Sequence, residues 1–240
     1  VLLTGPTRST AGPFPGATVA GGADGLFYGL TGRGGAANRG TVFKVTTAGA
    51  LSTLLEFSGN GASNKGGESW GSLTLGTDGD FYGLTSGGGA GNYGTAFKMT
   101  PAGMLTTLVE FTDSSAPNLG RYPYGDLVTG ADGEFYGVTS EGGVNNYGTV
   151  FKLTPGGVLT TLVDLDLPTG RRPKGSLALG ADGNFYGTTE LGGVASKGTV
   201  FKVTPTGTFT TLLESTSFYR GGTALGDYPR GSVCIGPDGS

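Results

Sequence analysis

The chain writes the same phrase four times. Gly-x-Asp-Gly-x-Phe-Tyr-Gly-x-Thr occurs around Phe27, Phe81, Phe135 and Phe185, and Gly-Thr-x-Phe-Lys-x-Thr around Phe43, Phe97, Phe151 and Phe201. Both series are spaced 54, 54 and 50 residues apart. A fixed period of this length means one supersecondary unit stacked on copies of itself. The 51 glycines and 12 prolines then read as punctuation for many tight turns, where without a period they would read as low complexity.

Each unit holds four short runs of β-forming residues. In the second unit they are Gly71–Gly76, Phe81–Thr85, Gly94–Lys98 and Leu105–Val109. Asp-Gly joins the first run to the second at Asp24, Asp78, Asp132 and Asp182, a strong hairpin signal. Thr100-Pro-Ala-Gly103 and its counterparts make the turn between the third and fourth runs. The unit is therefore a four-stranded antiparallel meander. In Thr149–Leu153, Val150 points to one face and Phe151 and Leu153 to the other, so both faces are apolar and the sheet is packed on both sides.

Four-stranded sheets packed radially with small first strands near an axis make an all-β propeller. A β-solenoid is the competing architecture, but it lacks repeated Asp-Gly hairpins. The repeats run approximately 16–57, 71–111, 125–165 and 175–214, in a single domain spanning 1–240. The first run recurs once more at Gly231–Gly236, and a fourth-type run stands at Val1–Leu3. These predict a fifth blade split between the termini. The chain starts without Met and stops inside the repeat, as a trimmed piece of a longer chain would.

The sequence has no histidine, which removes Ser–His–Asp and Cys–His catalysis and histidine metal sites. The single Cys234 allows no internal disulfide and reads as a small core residue. No apolar run is long enough for a membrane span. The formal charge of −3, without like-charge runs, argues against nucleic acid as a partner. The turn aspartates, Asp238 included, each stand alone before Gly without the oxygen cluster that calcium needs. Loops such as Ser86–Gly91 lead into strands and lack Gly-Lys-Ser/Thr, so they read as flexible loops and not as phosphate cradles. No cofactor motif is present.

Written out in full, with Tyr28-Gly29, Gly34-Gly35 and Gly40–Lys44 in register with their counterparts, the unit resembles the GloVer (Gloeobacter–Verrucomicrobia) repeat of bacterial secreted and surface proteins. The resemblance covers every repeat. It implies a propeller-like fold and export, and it brings no catalytic motif with it.

Antiparallel order puts the tight turns at one end of each blade and the longer loops at the other. The crossovers 58–70, 112–124, 165–174 and 215–230 vary most between repeats. Just before each inner-strand Gly stand Pro15, Trp70, Tyr124, Lys174 and Arg230, and two places earlier Tyr122, Arg172 and Tyr228. These are the candidate ligand-binding residues, since aromatic rings stack on sugars and guanidinium groups pair with carboxylates. Equally, Trp70 and the tyrosines can cover the ends of neighbouring blades, with Lys and Arg solvated.

Three functions compete. The first is a non-catalytic extracellular or cell-surface module that binds a glycan or another surface polymer. The second is a structural or adhesive component that self-associates. The third is a polysaccharide lyase or glycosidase, for which Glu68, Asp126 and Asp227 lie in or near the crossovers.

Overall fold

The structure is a computed structural model that describes residues 18–113, 120–215, 228–234 and 236. Its described residues contain strands and turns and no helix. Four antiparallel four-stranded sheets follow one another in sequence. The first is β1 (Ala20–Gly21), β2 (Phe27–Thr31), β3 (Thr41–Val45) and β4 (Leu51–Glu56), and the second β5 (Thr74–Leu75), β6 (Phe81–Thr85), β7 (Thr95–Met99) and β8 (Leu105–Glu110). The third is β9 (Val128–Thr129), β10 (Phe135–Thr139), β11 (Thr149–Leu153) and β12 (Leu159–Asp164). The fourth is β13 (Ala178–Leu179), β14 (Phe185–Thr189), β15 (Thr199–Val203) and β16 (Phe209–Glu214). Each is a blade with its strands in sequence order, as the turn signals require. Contacts divide the chain into two compact units, Val1–Glu110 and Phe111–Ser240, of two blades each.

The two units are built alike. In the first, Tyr28, Leu30, Val42 and Leu55 of one blade bury against Leu73, Phe81, Phe97 and Met99 of the next. The Tyr28 and Phe81 rings lie 4.3 Å apart. In the second unit, Tyr136, Val138 and Val150 meet Leu177, Phe185, Phe201 and Val203, and Tyr136 stacks on Phe185 at 4.0 Å. Val150 thus faces one neighbour while Phe151 faces the other way, onto Phe111. β1 lies against β5, and β9 against β13, so first strands are neighbours across blades.

Two glycines per repeat make this packing possible. A Cβ on Gly83 would stand 2.6 Å from Cζ of Phe97, whose ring lies flat over the cross-strand glycine. A Cβ on Gly76 would meet the Tyr82 ring at 2.6 Å. That tyrosine also fixes its own turn. Its hydroxyl donates to Oδ2 of Asp78 at 2.8 Å while Oδ1 accepts the Asp80 amide at 3.2 Å. Tyr28 with Asp24, Tyr136 with Asp132 and Tyr186 with Asp182 repeat the bond at 2.7, 2.7 and 2.9 Å. The aspartates are turn residues, as their isolation in the sequence implies. Lys98 pairs with Asp78 and Asp80, and Lys152 with Glu134.

The first strands are shorter than the sequence implies: β5 is Thr74–Leu75, where Gly71–Gly76 is the predicted run. The front half of the run bonds sideways instead. The amides of Thr18, Asp126 and Ser176 donate at 2.9 Å to the hydroxyls of Ser72, Ser176 and Ser232, each in the following first strand or its counterpart. A side chain on Gly125 would collide with the Ser176 backbone at 2.9 Å, so glycine allows the approach.

Four blades are seen and a fifth is not. Val1–Leu3, Gly16, Pro15 and Asp238 lie outside the described residues. The described part of Gly231–Gly236 forms no strand, although Ser232 and Gly231 accept from Ser176 and Thr188. Cys234, expected in a core, is exposed there, because no ladder encloses that segment.

These contacts generate two predictions. Gly79 has φ of +82° with open space where a Cβ would go, so its requirement is purely conformational. Gly79→Val costs about 1–3 kcal/mol and Gly79→Asn much less, while Phe97→Ala costs about 3–5 kcal/mol, all read by urea unfolding. Burial and the bond to Asp78 push Tyr82 up to about 12, and burial and the bond to Asp24 do the same to Tyr28. A phenol raised on folding stabilises fully below its ordinary value near 10 and loses that contribution as pH climbs through its folded value. The melting temperature therefore falls steeply between about pH 10 and 12. Tyr82→Phe lowers stability by about 1 kcal/mol and shrinks that alkaline loss.

Candidate functional site

The loop end of each blade is made by the second-to-third loop and the crossover beside it. The loops are not slack, contrary to their glycine content. Asn38, Asn92 and Asn146 sit at φ of 51°, 56° and 57°, and each side-chain oxygen accepts a glycine amide of its own loop, at 3.1, 2.9 and 3.0 Å. The carboxylate ending the fourth strand holds the middle of the loop: Glu56 accepts from Ala36, Glu110 from Ala90, Asp164 from Val144 and Glu214 from Val194. Ser196 stands at the asparagine position in the last blade, at φ of 55°.

A second left-handed series runs through the crossovers. Glu68, Tyr122, Arg172 and Tyr228 have φ of 56°, 56°, 56° and 60°. Hydrogen bonds on both sides hold the conformation. The Glu68, Arg172 and Tyr228 amides donate to Arg39, Tyr147 and Lys197 in the preceding blade's loop, each at 2.9 Å. The carbonyls of Glu68, Tyr122 and Arg172 accept from Ser86, Ser140 and Glu190 just past the second strand of their own blade. Asparagine is the non-glycine residue that tolerates this region at least cost, and the chain uses it in three blades of the loop series. In the crossover series it places four large side chains instead, each strained on the order of 1 kcal/mol.

In the second unit the structure gathers five of the predicted residues with partners the sequence reading missed. The Arg121 guanidinium lies 3.1 Å from Glu141 and 5.6 Å from the Tyr122 ring. Arg172 approaches Glu141 from the other side at 3.9 Å. Arg171 lies 5.7 Å from the centre of the Tyr147 ring, and its Nε has no hydrogen-bond partner. Next along, Lys174 and Arg230 contact Glu190 at 2.8 and 2.5 Å. Burial works against ionising Glu190, but the two cations outweigh it and hold the carboxyl below its usual range. Tyr228 is partly exposed beside Lys197, whose amine is 4.8 Å from the ring centre. Tyr124 is half-buried in the same crossover as Tyr122.

Trp70 belongs to the first unit. Its ring lies 3.8 Å from where a Cβ on Gly32 would stand, yet the residue remains 44% exposed. It therefore covers a blade end and still shows a face to solvent. Glu68 beside it pairs with Arg39 at 3.4 Å. An open cleft of about 500 Å³ lies between Ala62–Lys65 and β8, with the Lys65–Glu110 ion pair on its wall. Of the acidic residues the sequence offers for glycosidase chemistry, Asp227 lies outside the described residues. Glu141 and Glu190 are each held between two cations.

Comparing the repeats with one another would have found the missed residues. Glu190 stands where the other repeats have Gly32, Ser86 and Ser140, and Arg121 and Arg171 where the second has Gly67. If the crossover series is kept for its side chains and not for its backbone, Arg172→Asn and Tyr122→Asn leave the melting temperature unchanged or raise it. Asn92→Arg in the loop series lowers stability by about 1 kcal/mol or more, because it also loses the bond to Gly88. Differential scanning calorimetry of the three variants decides it.

A repeat profile described as the Gloeobacter/Verrucomicrobia repeat matches residues 3–166 and 115–240. The sequence matches no curated protein. Among solved structures, the periplasmic gluconolactonase of Pseudomonas aeruginosa is similar with TM-score 0.55 and 16% identity, over 92% of this chain and 62% of that one. TolB of Acinetobacter baumannii is similar with TM-score 0.51 and 13% identity, over 84% of this chain and 44% of that one. A puromycin-hydrolysing peptidase of Mycobacterium tuberculosis is similar with TM-score 0.50 and 16% identity, over 82% of this chain and 31% of that one. The chain thus spans less than two thirds of each. Such neighbours are propeller-like, and the likeness is one of fold.

Proposed function

Since the chain belongs to the Gloeobacter/Verrucomicrobia repeat family, we propose that it is a non-catalytic binding module working outside the cytoplasm, whose loop end recognises a glycan or another surface polymer. The observation that carries this reading is the contrast between the two left-handed series. In the loop series the chain uses asparagine in three blades and serine in the fourth, and in the crossovers it accepts strain to display Glu68, Tyr122, Arg172 and Tyr228. Variable loops on a repeated rigid scaffold are where recognition concentrates. Exposed rings at Trp70 and Tyr228 suit sugar faces. One structural neighbour is periplasmic by its description, and no helix among the described residues is long and apolar enough to cross a membrane. The segment from Gly231 reads as the first strand of a further blade, supported by the Ser176–Ser232 bond.

A structural or adhesive role is the second reading. Phe27, at the open side of the first unit's first blade, is 38% exposed where its counterpart Phe81 is fully buried. In the second unit Leu213 is 54% exposed at the position that Leu55 and Val109 fill, buried, in the first. Another blade of the same pattern, or a second copy, would cover either surface.

Glycan-array and polysaccharide pull-down measurements separate the two. The binding reading expects a retained glycan whose affinity falls about tenfold in Trp70→Ala or Tyr122→Asn with the melting temperature preserved. No binding across a broad panel, together with concentration-dependent oligomers by light scattering, replaces it with the structural reading.

A further inference from the structure

We propose that the loop end of the second unit binds an uncharged polysaccharide, one of whose hydroxyls bridges Arg172 and Glu141. The proposal rests on the glycan-binding reading and names the class of glycan and the groups that hold it. The Arg172 guanidinium lies 3.9 Å from Oε1 of Glu141, longer than a hydrogen bond, and half of the Arg172 side chain is in water. Arg121 takes the other carboxylate oxygen: its Nη2 lies 3.1 Å and its Nε 3.2 Å from Oε2. That contact fixes the carboxylate and leaves Oε1 toward Arg172. A donor and an acceptor therefore face each other across a gap too wide to close directly. An oxygen set beside the gap reaches both at about 2.8 Å. A hydroxyl is the group that fits, because it accepts from the guanidinium and donates to the carboxylate at once.

An anion does not fit the same place. Paired with Arg172 it would stand within a few ångströms of the Glu141 carboxylate, and like charges at that range repel. Nor does the wider surface favour a charged polymer. Six described cations at this end, Arg121 through Arg230 in chain order, stand with seven described carboxylates, Asp113 through Glu214. The two signs nearly balance, so long-range attraction has little to act on. The bridging pair itself is not part of the repeated scaffold. Glu141 stands where the other blades have Arg33, Gly87 and Leu191, and Arg172 where they have Glu68, Tyr122 and Tyr228. The backbone holds Arg172 in place: its amide donates to Tyr147 at 2.9 Å and its carbonyl accepts from Glu190 at 3.2 Å. Glu190 in turn contacts Arg230, two thirds of whose side chain is in water, and the partly exposed Tyr228 ring stands two residues before it. These offer further donors and a ring face to neighbouring sugars of the polymer. A ligand hydroxyl that reproduces the bonds of a displaced water loses little in the exchange.

Affinity electrophoresis of the whole chain through neutral galactan, mannan and dextran, with polygalacturonate and dextran sulfate as charged counterparts, tests the proposal. At least one neutral polymer is expected to retard the protein, equally at roughly 50 and 500 mM salt. Arg172→Asn and Glu141→Ala are each expected to lose about tenfold in affinity, the first at unchanged or raised melting temperature. Because the two groups hold one hydroxyl, the double variant is expected to lose little more than either alone. Lys202→Gln, at the opposite end of the blade, is expected to change nothing. Retardation by the charged polymers at least as strong as by the neutral ones, or retardation that fades with salt, overturns the uncharged class and leaves the glycan reading standing. Neutral retardation that survives both substitutions, losses that multiply in the double variant, or an equal loss in Lys202→Gln overturns the Arg172–Glu141 site. No retardation by any polysaccharide overturns both the proposal and the glycan reading beneath it.

Discussion

One tyrosine in the first blade of each unit, Tyr28 or Tyr136, ties the levels of this structure together, and it does so with three contacts from a single side chain. Its ring is buried between blades, on Phe81 for Tyr28 and on Phe185 for Tyr136. Its hydroxyl reaches back to the aspartate of the preceding turn. Its edge fills the space that a Cβ on the first glycine of the motif would need. Burying a ring of this size drives blade on to blade, and the phenol needs a partner once it is taken out of water. The aspartate provides that partner while closing the hairpin. Turn, strand and stacking are thereby selected together, which is why the phrase Gly-x-Asp-Gly-x-Phe-Tyr-Gly recurs with so little change.

The loop end is held by hydrogen bonds of its own. Asparagine oxygens and strand-end carboxylates hold loop amides, and the crossovers at Glu68 and Arg172 are clipped to two blades through the backbone of one left-handed residue. Because the clip is made by main-chain atoms, the side chain at that position is free to differ, and it does: Glu68, Tyr122, Arg172, Tyr228. A surface set on such clips is ordered before any contact is made.

The charge distribution follows the same division. At the turn end, lysines such as Lys98 and Lys152 meet the carboxylates of the hairpins, and these pairs are local. At the loop end of the second unit carboxylates are shared, Glu141 between Arg121 and Arg172 and Glu190 between Lys174 and Arg230.

The sequence by itself determined the meander, the hairpin turns and the two-sided packing of each sheet. These depend on residues near one another in the chain, and a period repeated four times averages out local ambiguity. It also pointed to the crossovers, and to Trp70, Tyr122, Tyr124, Arg172, Lys174, Tyr228 and Arg230 within them, because those positions differ where the rest repeats. Only the tertiary structure decided which charges meet. Glu190 and Arg230 are forty residues apart and come together because the crossover returns along the end of β14. The serine bonds that draw first strands to their neighbours, and so shorten their own ladders, span fifty residues or more. Left-handed backbone at Tyr122 and Arg172 was hidden for the same reason. Local preference opposes it, and hydrogen bonds to residues distant in the chain hold it, from Ser140 at Tyr122 and from Tyr147 and Glu190 at Arg172.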